Sequence, residues 1–155
     1  DGVINKDKGY LYKIADFEWI KGSIDAIKYL NDINYYVFVI TNQSGIARGY
    51  YSKNDVNKLH LFINNELRKN KAHIDDFFIS PYHPDINRFV ELANLRKPDT
   101  GMLELAEKKW PIKKNSSFLI GDKITDIQCA KKFGIRGHLF KDGNLLEFIK
   151  RYEKL

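Results

Sequence analysis

Reactive residue types recur where an open parallel sheet would end its strands. Asp1 precedes Gly2 and the β-branched pair Val3-Ile4, the pattern of a strand lip at which the chain turns and a ligand can come close. Thr41 closes the apolar run from Tyr35 to Ile40, and Asp122 follows Gly121 at the end of Phe118-Leu119-Ile120. Lys97 arrives in Arg96-Lys97-Pro98, an extended segment because of its proline. In such sheets ligands bind at the carboxyl ends of the strands. The carboxylates of Asp1 and Asp122 suit a hard cation such as Mg²⁺. A hydroxyl and an ammonium suit the equatorial oxygens of a phosphoryl group in in-line transfer. A lone strand-end aspartate is more often a helix cap or turn residue. Together, at successive strand ends, these residues point to phosphoryl chemistry.

Such positions need a scaffold of alternating strands and helices. Gly22-Ser23 opens a helix that Ile24, Ile27 and Leu30 carry to about Asn31. Tyr35 to Thr41 reads as a parallel strand buried on both faces. Asn42-Gln43-Ser44-Gly45 follows as a polar turn of φ-permissive residues. Ser52, with Asp55 after it, caps a long helix through Val56, Leu59, Phe62, Ile63 and Leu67 to about Asn70. Phe77 to Ser80 is a short strand, and Pro81 to Leu95 is irregular. A helix from about Met102 to Trp110 comes next, then a strand from Ser117 to Asp122. The helix Ile124 to Phe133 stops at Gly134; a strand over Gly137 to Phe140 and an amphipathic helix over Leu145 to Tyr152 close the chain. The expected fold class is α/β, a mostly parallel sheet with helices on both faces.

At 155 residues, 43% hydrophobic and 30% charged, the chain has the make-up of one globular domain spanning 1–155. No apolar run approaches the roughly 20 residues of a membrane span, so no membrane partner is expected. Cys129 stands alone and cannot form an internal disulfide, which favours a reducing cytoplasm. The net charge of +6 suits anionic ligands. Its lysine pairs are spread over separate elements without an arginine-rich or aromatic-interleaved patch, so solubility explains them better than nucleic acid does.

Asp1 to Asn5, Thr41-Asn-Gln-Ser-Gly45, Arg96-Lys-Pro98 with Gly101-Met102, and Gly121-Asp-Lys-Ile-Thr-Asp126 resemble the motifs of haloacid-dehalogenase-type phosphatases. Ser44-Gly-Ile-Ala-Arg-Gly-Tyr50 resembles the branch holding heptose-bisphosphate and histidinol-phosphate phosphatases. The resemblance spans residue 1 to about 140 and implies a three-layer, Rossmann-like fold without a large cap domain. It makes Asp1 the general acid and base, its backbone carbonyl a Mg²⁺ ligand, and Thr41 the hydroxyl on the transferring group. Asn42, Gln43 and Ser44 assist Thr41. Lys97 becomes the phosphate-stabilising lysine and Arg96 its substrate-recognising neighbour. Asp122 and Asp126 become metal-site residues with Asp1, Asp126 standing behind the first ligands, and Lys123 a substrate-binding residue in the pocket. Asp7, Lys8, Gly9 and Tyr10 correspond to a sugar-contacting loop, and Arg48 with Tyr50 and Tyr51 suits a second phosphate or sugar hydroxyls.

Two departures from that family stand out. Its nucleophile is an aspartate two residues ahead of the one Asp1 matches, so the first strand and the nucleophile are expected upstream of Asp1. Its structural zinc set falls here on Ser80, Tyr82, Ala93 and Leu95, an incompetent donor set, and His83 alone is no replacement. Zinc is therefore not expected. The expected activity is Mg²⁺-dependent removal of the 7-phosphate of D-glycero-D-manno-heptose 1,7-bisphosphate through an aspartyl-phosphate. The alternatives are a phosphatase of histidinol phosphate or another small metabolite, and a catalytically inactive phosphosugar-binding protein. The expected partner is a small sugar phosphate and the expected state a monomer.

Overall fold

The structure is a computed structural model and describes residues 1–152. The chain folds as two compact units, one made of Asp1–Val39, Lys53–Phe77 and the segment from Phe140 on, the other of Ile40–Ser52 and Phe78–Leu139. In chain order the elements are α1 (Ser23–Asp32), β1 (Phe38–Asn42), α2 (Lys53–Lys69), β2 (Asp76–Ser80), α3 (Gly101–Lys109), β3 (Phe118–Gly121), α4 (Ile124–Phe133), β4 (Arg136–Leu139) and α5 (Leu145–Tyr152). The fold is α/β, as expected. Among the described residues no helix is long and apolar enough to cross a membrane.

The first unit is built on α2. Val56, Leu59, Ile63 and Leu67 recur every three or four residues and are all buried, so one face of the helix enters the core. Leu11, Ile27, Ala72 and Ile74 close around them, with Ile4, Phe17, Trp19 and Phe62 packed outside. Burying a side chain of this size contributes about 1.5–3 kcal/mol. The early polar loop is tied down by an antiparallel bridge between Asn5 and Trp19. Gly22, at φ 75°, turns the chain into α1, and its missing Cβ leaves room for the Asn144 side chain. Asn144 in turn accepts from the backbone N–H groups of Leu146 and Glu147 at 3.0 and 3.3 Å, capping α5.

The second unit centres on β3-α4-β4. β3 and β4 run parallel with Phe118 opposite Arg136 and Gly121 opposite Leu139. Leu103, Leu119, Cys129, Ala130 and Phe133 form its core. A Cβ on Gly137 would lie 3.0 Å from that of Ala130, so glycine lets α4 settle closely on β4. Gly134 ends α4 at φ 87°, its N–H bonding back to the Ala130 carbonyl at 3.0 Å.

The sheet departs from expectation in its hydrogen bonding. The strands form two pairs, β1 with β2 and β3 with β4, rather than one continuous ladder. β1 starts at Phe38 rather than Tyr35, because the Tyr35 N–H is bound to Leu30 and the Val37 N–H to the Asp75 carboxylate at 2.7 Å. Phe38, Val39 and Ile40 are half-buried rather than buried on both faces. Backbone groups alternate sides along a strand, and Val37 and Gln43 face the β2 side through Asp75 and Ser80. The Ile40 carbonyl therefore lies on the opposite edge.

In α2, His60 stacks on Phe77 with ring centroids 4.2 Å apart. Burial pushes its imidazole down to about 4, which favours the neutral ring. Unfolding frees the ring to bind a proton near its ordinary value of 6.5, so the unfolded state gains protons between pH 6.5 and 4. Stability should fall by up to about 3 kcal/mol across that window and level off below it. Urea titrations at stepped pH should show the slope in the wild type and its flattening in His60→Phe.

Candidate active site

The site residues of the second unit are assembled from the ends of β1 and β3 and from the segment before α3. Lys97 is the hinge of that assembly. Its ammonium lies 2.7 Å from Asp126 Oδ1, with both side chains almost wholly buried. It also donates to the Ile40 carbonyl, on the edge of β1 away from β2, at 3.1 Å. Its backbone is gripped from both sides by one amide: the Lys97 N–H donates to Asn42 Oδ1 at 3.0 Å, and Asn42 Nδ2 donates to the Lys97 carbonyl at 3.2 Å. The peptide that follows, Lys97-Pro98, is cis.

Asp126 reaches Lys97 because of where α4 begins. The other oxygen of Asp126 accepts the Lys123 backbone N–H at 3.0 Å, closing the first turn of α4. A Cβ on Gly121 would lie 2.1 Å from the Asp126 Cβ, so glycine at the end of β3 is required for room. Asp122, the residue after it, is half-buried and has no hydrogen bond or ion pair among the described residues. Lys123 is exposed.

Thr41 is buried at the end of β1, and its Oγ1 accepts from Gln43 Nε2 at 3.0 Å. Gln43 Oε1 accepts from the Tyr51 hydroxyl at 2.6 Å. A Cβ on Gly45 would fall 2.2 Å from the Tyr51 ring. Gly45 is thus there for space; its φ is not positive, contrary to the expectation of a φ-permissive turn. Further along the loop, Arg48 donates to His83 Nε2 at 3.2 Å, Arg88 to the Ala47 carbonyl at 3.2 Å and Arg96 to the Tyr82 carbonyl at 3.2 Å. Ser80, at one expected zinc position, is wholly buried with its hydroxyl unpaired, and Ala93 and Leu95 offer no donor atom.

In the first unit Asp1 is exposed, and its carboxylate accepts from Asn5 Nδ2 at 2.7 Å. Asp7 Oδ1 accepts the Gly9 N–H at 3.0 Å, shaping a turn that Tyr10 continues at φ 50°. Lys8 pairs with Glu18 at 3.3 Å on the surface, a contact worth little.

The structure thus sets Thr41, Gln43 and Tyr51 in one hydrogen-bonded group and Asn42, Lys97 and Asp126 in another, with Asp122 in the turn between β3 and α4. It spends the amides of Asn42 and Gln43, and both oxygens of Asp126, on protein groups. Tyr51 and His83 are the residues that the motifs did not single out for these contacts. Tyr51 was expected beside Arg48 at a second phosphate or sugar hydroxyl; the structure instead buries it, with its hydroxyl donating to Gln43.

Among the described residues no cluster of three or more acidic, histidine or cysteine side chains is arranged as a metal cage. Mg²⁺ commonly needs fewer, taking one or two carboxylates with substrate phosphate and water as the rest. The unpartnered carboxylate of Asp122 fits that donor set.

An α/β chain that holds a buried lysine, a threonine hydroxyl and an open carboxylate at strand ends has the equipment of a phosphoryl-group hydrolase. The HAD-hydrolase-like family model matches residues 94–147. A D-glycero-beta-D-manno-heptose-1,7-bisphosphate 7-phosphatase from Rhodopseudomonas palustris is 39% identical over 97% of this chain and 85% of its own length. A D-glycero-alpha-D-manno-heptose-1,7-bisphosphate 7-phosphatase from Photorhabdus laumondii is 42% identical over 93% of the chain and 80% of its length. The crystal structure of D,D-heptose 1,7-bisphosphate phosphatase from B. bronchiseptica with magnesium and phosphate superposes with a TM-score of 0.81 at 28% identity, covering 97% of this chain and 82% of that one. The chain belongs to the haloacid-dehalogenase-like phosphatases.

The two aspartates of α4 and its approach should separate cleanly in stability. Asp126→Ala strands the buried Lys97 ammonium and should cost about 3–5 kcal/mol in denaturant unfolding. Asp122→Asn removes no protein contact and should stay within about 0.5 kcal/mol of wild type. Equal losses in the two variants would reject this placement of the ion pair.

Proposed function

We propose that the protein is a Mg²⁺-dependent sugar phosphatase that removes the 7-phosphate of D-glycero-D-manno-heptose 1,7-bisphosphate. The observation that carries the reading is the buried Lys97 ammonium, held by Asp126 and the Ile40 carbonyl on a backbone that Asn42 clamps, in a chain whose relatives bear that name. A fixed cation and a hydroxyl donor are what a transferring phosphoryl group requires.

The chemistry is a two-step transfer through an aspartyl-phosphate. In the family an aspartate two residues ahead of the one that Asp1 matches attacks phosphorus as the phosphorus–sugar oxygen bond breaks. Asp1 gives its proton to the departing sugar oxygen. Asp1 then takes a proton from the water that attacks the acyl phosphate, releasing inorganic phosphate and restoring the nucleophile. Lys97 and Thr41 offset the charge on the phosphoryl oxygens in both steps. Asp122 would hold Mg²⁺, which would neutralise phosphate charge when bound. Asp126 serves this site by holding Lys97 rather than by binding the metal.

Arg48 and Arg96 are the substrate-recognising cations. Each guanidinium is a planar fork of N–H donors, the geometry that suits a phosphate or a pair of sugar hydroxyls, and the contacts to His83 and Tyr82 fix how the two side chains are held. Asp7 to Tyr10 supply the sugar-contacting loop. A cationic substrate such as histidinol phosphate would call for carboxylates where these arginines stand, which favours the heptose.

Phosphate release from a sugar-phosphate panel, with both heptose anomers and histidinol phosphate included, tests the reading on the protein as encoded. The heptose bisphosphate should be preferred, EDTA should abolish turnover and Mg²⁺ should restore it. Asp1→Asn should lose turnover by orders of magnitude with its fold intact. Full activity in that variant rejects the role of Asp1, and stoichiometric zinc in elemental analysis rejects a zinc-free loop.

A further inference from the structure

We propose that Tyr51 is a positioning residue: acting through Gln43, it fixes the direction in which the Thr41 hydroxyl donates. The inference rests on the phosphatase reading and deepens it, because it assigns a part to residues beyond those that touch substrate.

The chain of contacts has a polarity that its lengths reveal. The Tyr51–Gln43 contact is 2.6 Å and the Gln43–Thr41 contact is 3.0 Å. The shorter is typical of O–H···O and too short for N–H···O, whereas the longer is typical of N–H···O. The amide oxygen of Gln43 therefore faces Tyr51, and its NH₂ group faces Thr41. Turning the amide over would set a nitrogen 2.6 Å from a phenolic oxygen.

That orientation decides what Thr41 can do. A hydroxyl has one proton to donate and lone pairs to accept. Thr41 Oγ1 accepts from Gln43, so its own proton is not needed there and is left for another acceptor. With the amide reversed, Thr41 would donate to Gln43 Oε1 and present only lone pairs to an incoming phosphoryl oxygen, which is repulsive. Tyr51 thus turns an ambivalent hydroxyl into a committed donor.

The arrangement is built rather than incidental. Gln43 is 6% exposed and Tyr51 is 7% exposed, so neither contact is exchanged freely with water. The Tyr51 ring occupies the space over Gly45 that any side chain there would fill. The Gln43 backbone is fixed as well, its N–H donating to the Ser80 carbonyl at 2.7 Å.

A double-mutant cycle between Tyr51→Phe and Thr41→Val tests the relay. It is read both as kcat/KM on the preferred sugar phosphate and as the calorimetric Kd for inorganic phosphate in Mg²⁺. Tyr51→Phe keeps the ring over Gly45 and should stay folded with a thermal midpoint lowered by a few degrees for the stranded Gln43 acceptor, but it should lower kcat/KM and weaken phosphate binding by about tenfold. In the Thr41→Val background the same change should cost less than about twofold, since there is no hydroxyl left to direct. Gln43→Glu, which can only accept, should draw the Thr41 proton inward and show the same dependence on Thr41.

Full affinity and activity in Tyr51→Phe, or losses that simply add in the double variant, would overturn the relay. A wild-type protein that binds phosphate but hydrolyses no phosphate ester rejects the phosphatase reading alone, and the relay is then judged on the phosphate Kd. One that binds no phosphate rejects both.

Discussion

The ion pair between Lys97 and Asp126 is the constraint around which the second unit is arranged. An ammonium cannot be taken out of water without a partner, and the cost of an unpaired charge there is several kcal/mol. Three local features follow from that requirement. Asp126 stands in the first turn of α4, where its second oxygen satisfies the Lys123 N–H. Gly121 ends β3 because a side chain would displace Asp126. Asn42 extends β1 by one residue so that its amide can clamp the Lys97 backbone. A lysine reaching back to the Ile40 carbonyl then occupies a β1 edge group that the β2 ladder does not use.

The same economy divides the polar residues after β1 by task. Asn42 and Gln43 are chemically alike and adjacent, yet one holds a backbone and the other aims a hydroxyl. Each amide has one contact on its oxygen and one on its nitrogen. What these contacts leave unspent is a small and specific set: the proton of Thr41, the one remaining N–H of the Lys97 ammonium and the carboxylate of Asp122. A phosphate with its metal needs a donor, a cation and a hard anionic ligand, and these are the functions left unspent.

How much of this was legible in the sequence depends on how far away each partner lies. The placement of Thr41 and Asp122 at strand ends could be read because apolar runs that stop in a polar residue are local, as in Phe118 to Asp122. Helices α1, α2, α4 and α5 were readable for the same reason, their apolar spacing and glycine stops being local. The amide tasks were not. Asn42 and Lys97 are 55 positions apart, and nothing between them announces that one binds the other's backbone. Gly45 was visible as a glycine but not as a space, because the ring that fills the space comes from the loop beyond it. The start of β1 failed for a related reason: Tyr35 to Val37 have strand composition, but Leu30 and Asp75 had already taken their backbone groups.

Preorganisation is the common physical consequence of these distant contacts. A donor that must turn towards a phosphoryl group during reaction adds its reorientation to the barrier, whereas one already turned does not. Thr41 is buried, its acceptor side is filled by Gln43, and Lys97 is pinned at both backbone and side chain. In a low-dielectric setting such fixed dipoles and charges act more strongly on a developing charge than the same groups would in water. The polarity that begins at the Tyr51 hydroxyl and ends at Thr41 is thus of a piece with the Asp126–Lys97 pair. Each commits a group whose chemistry is otherwise ambivalent or costly to one direction before any ligand arrives.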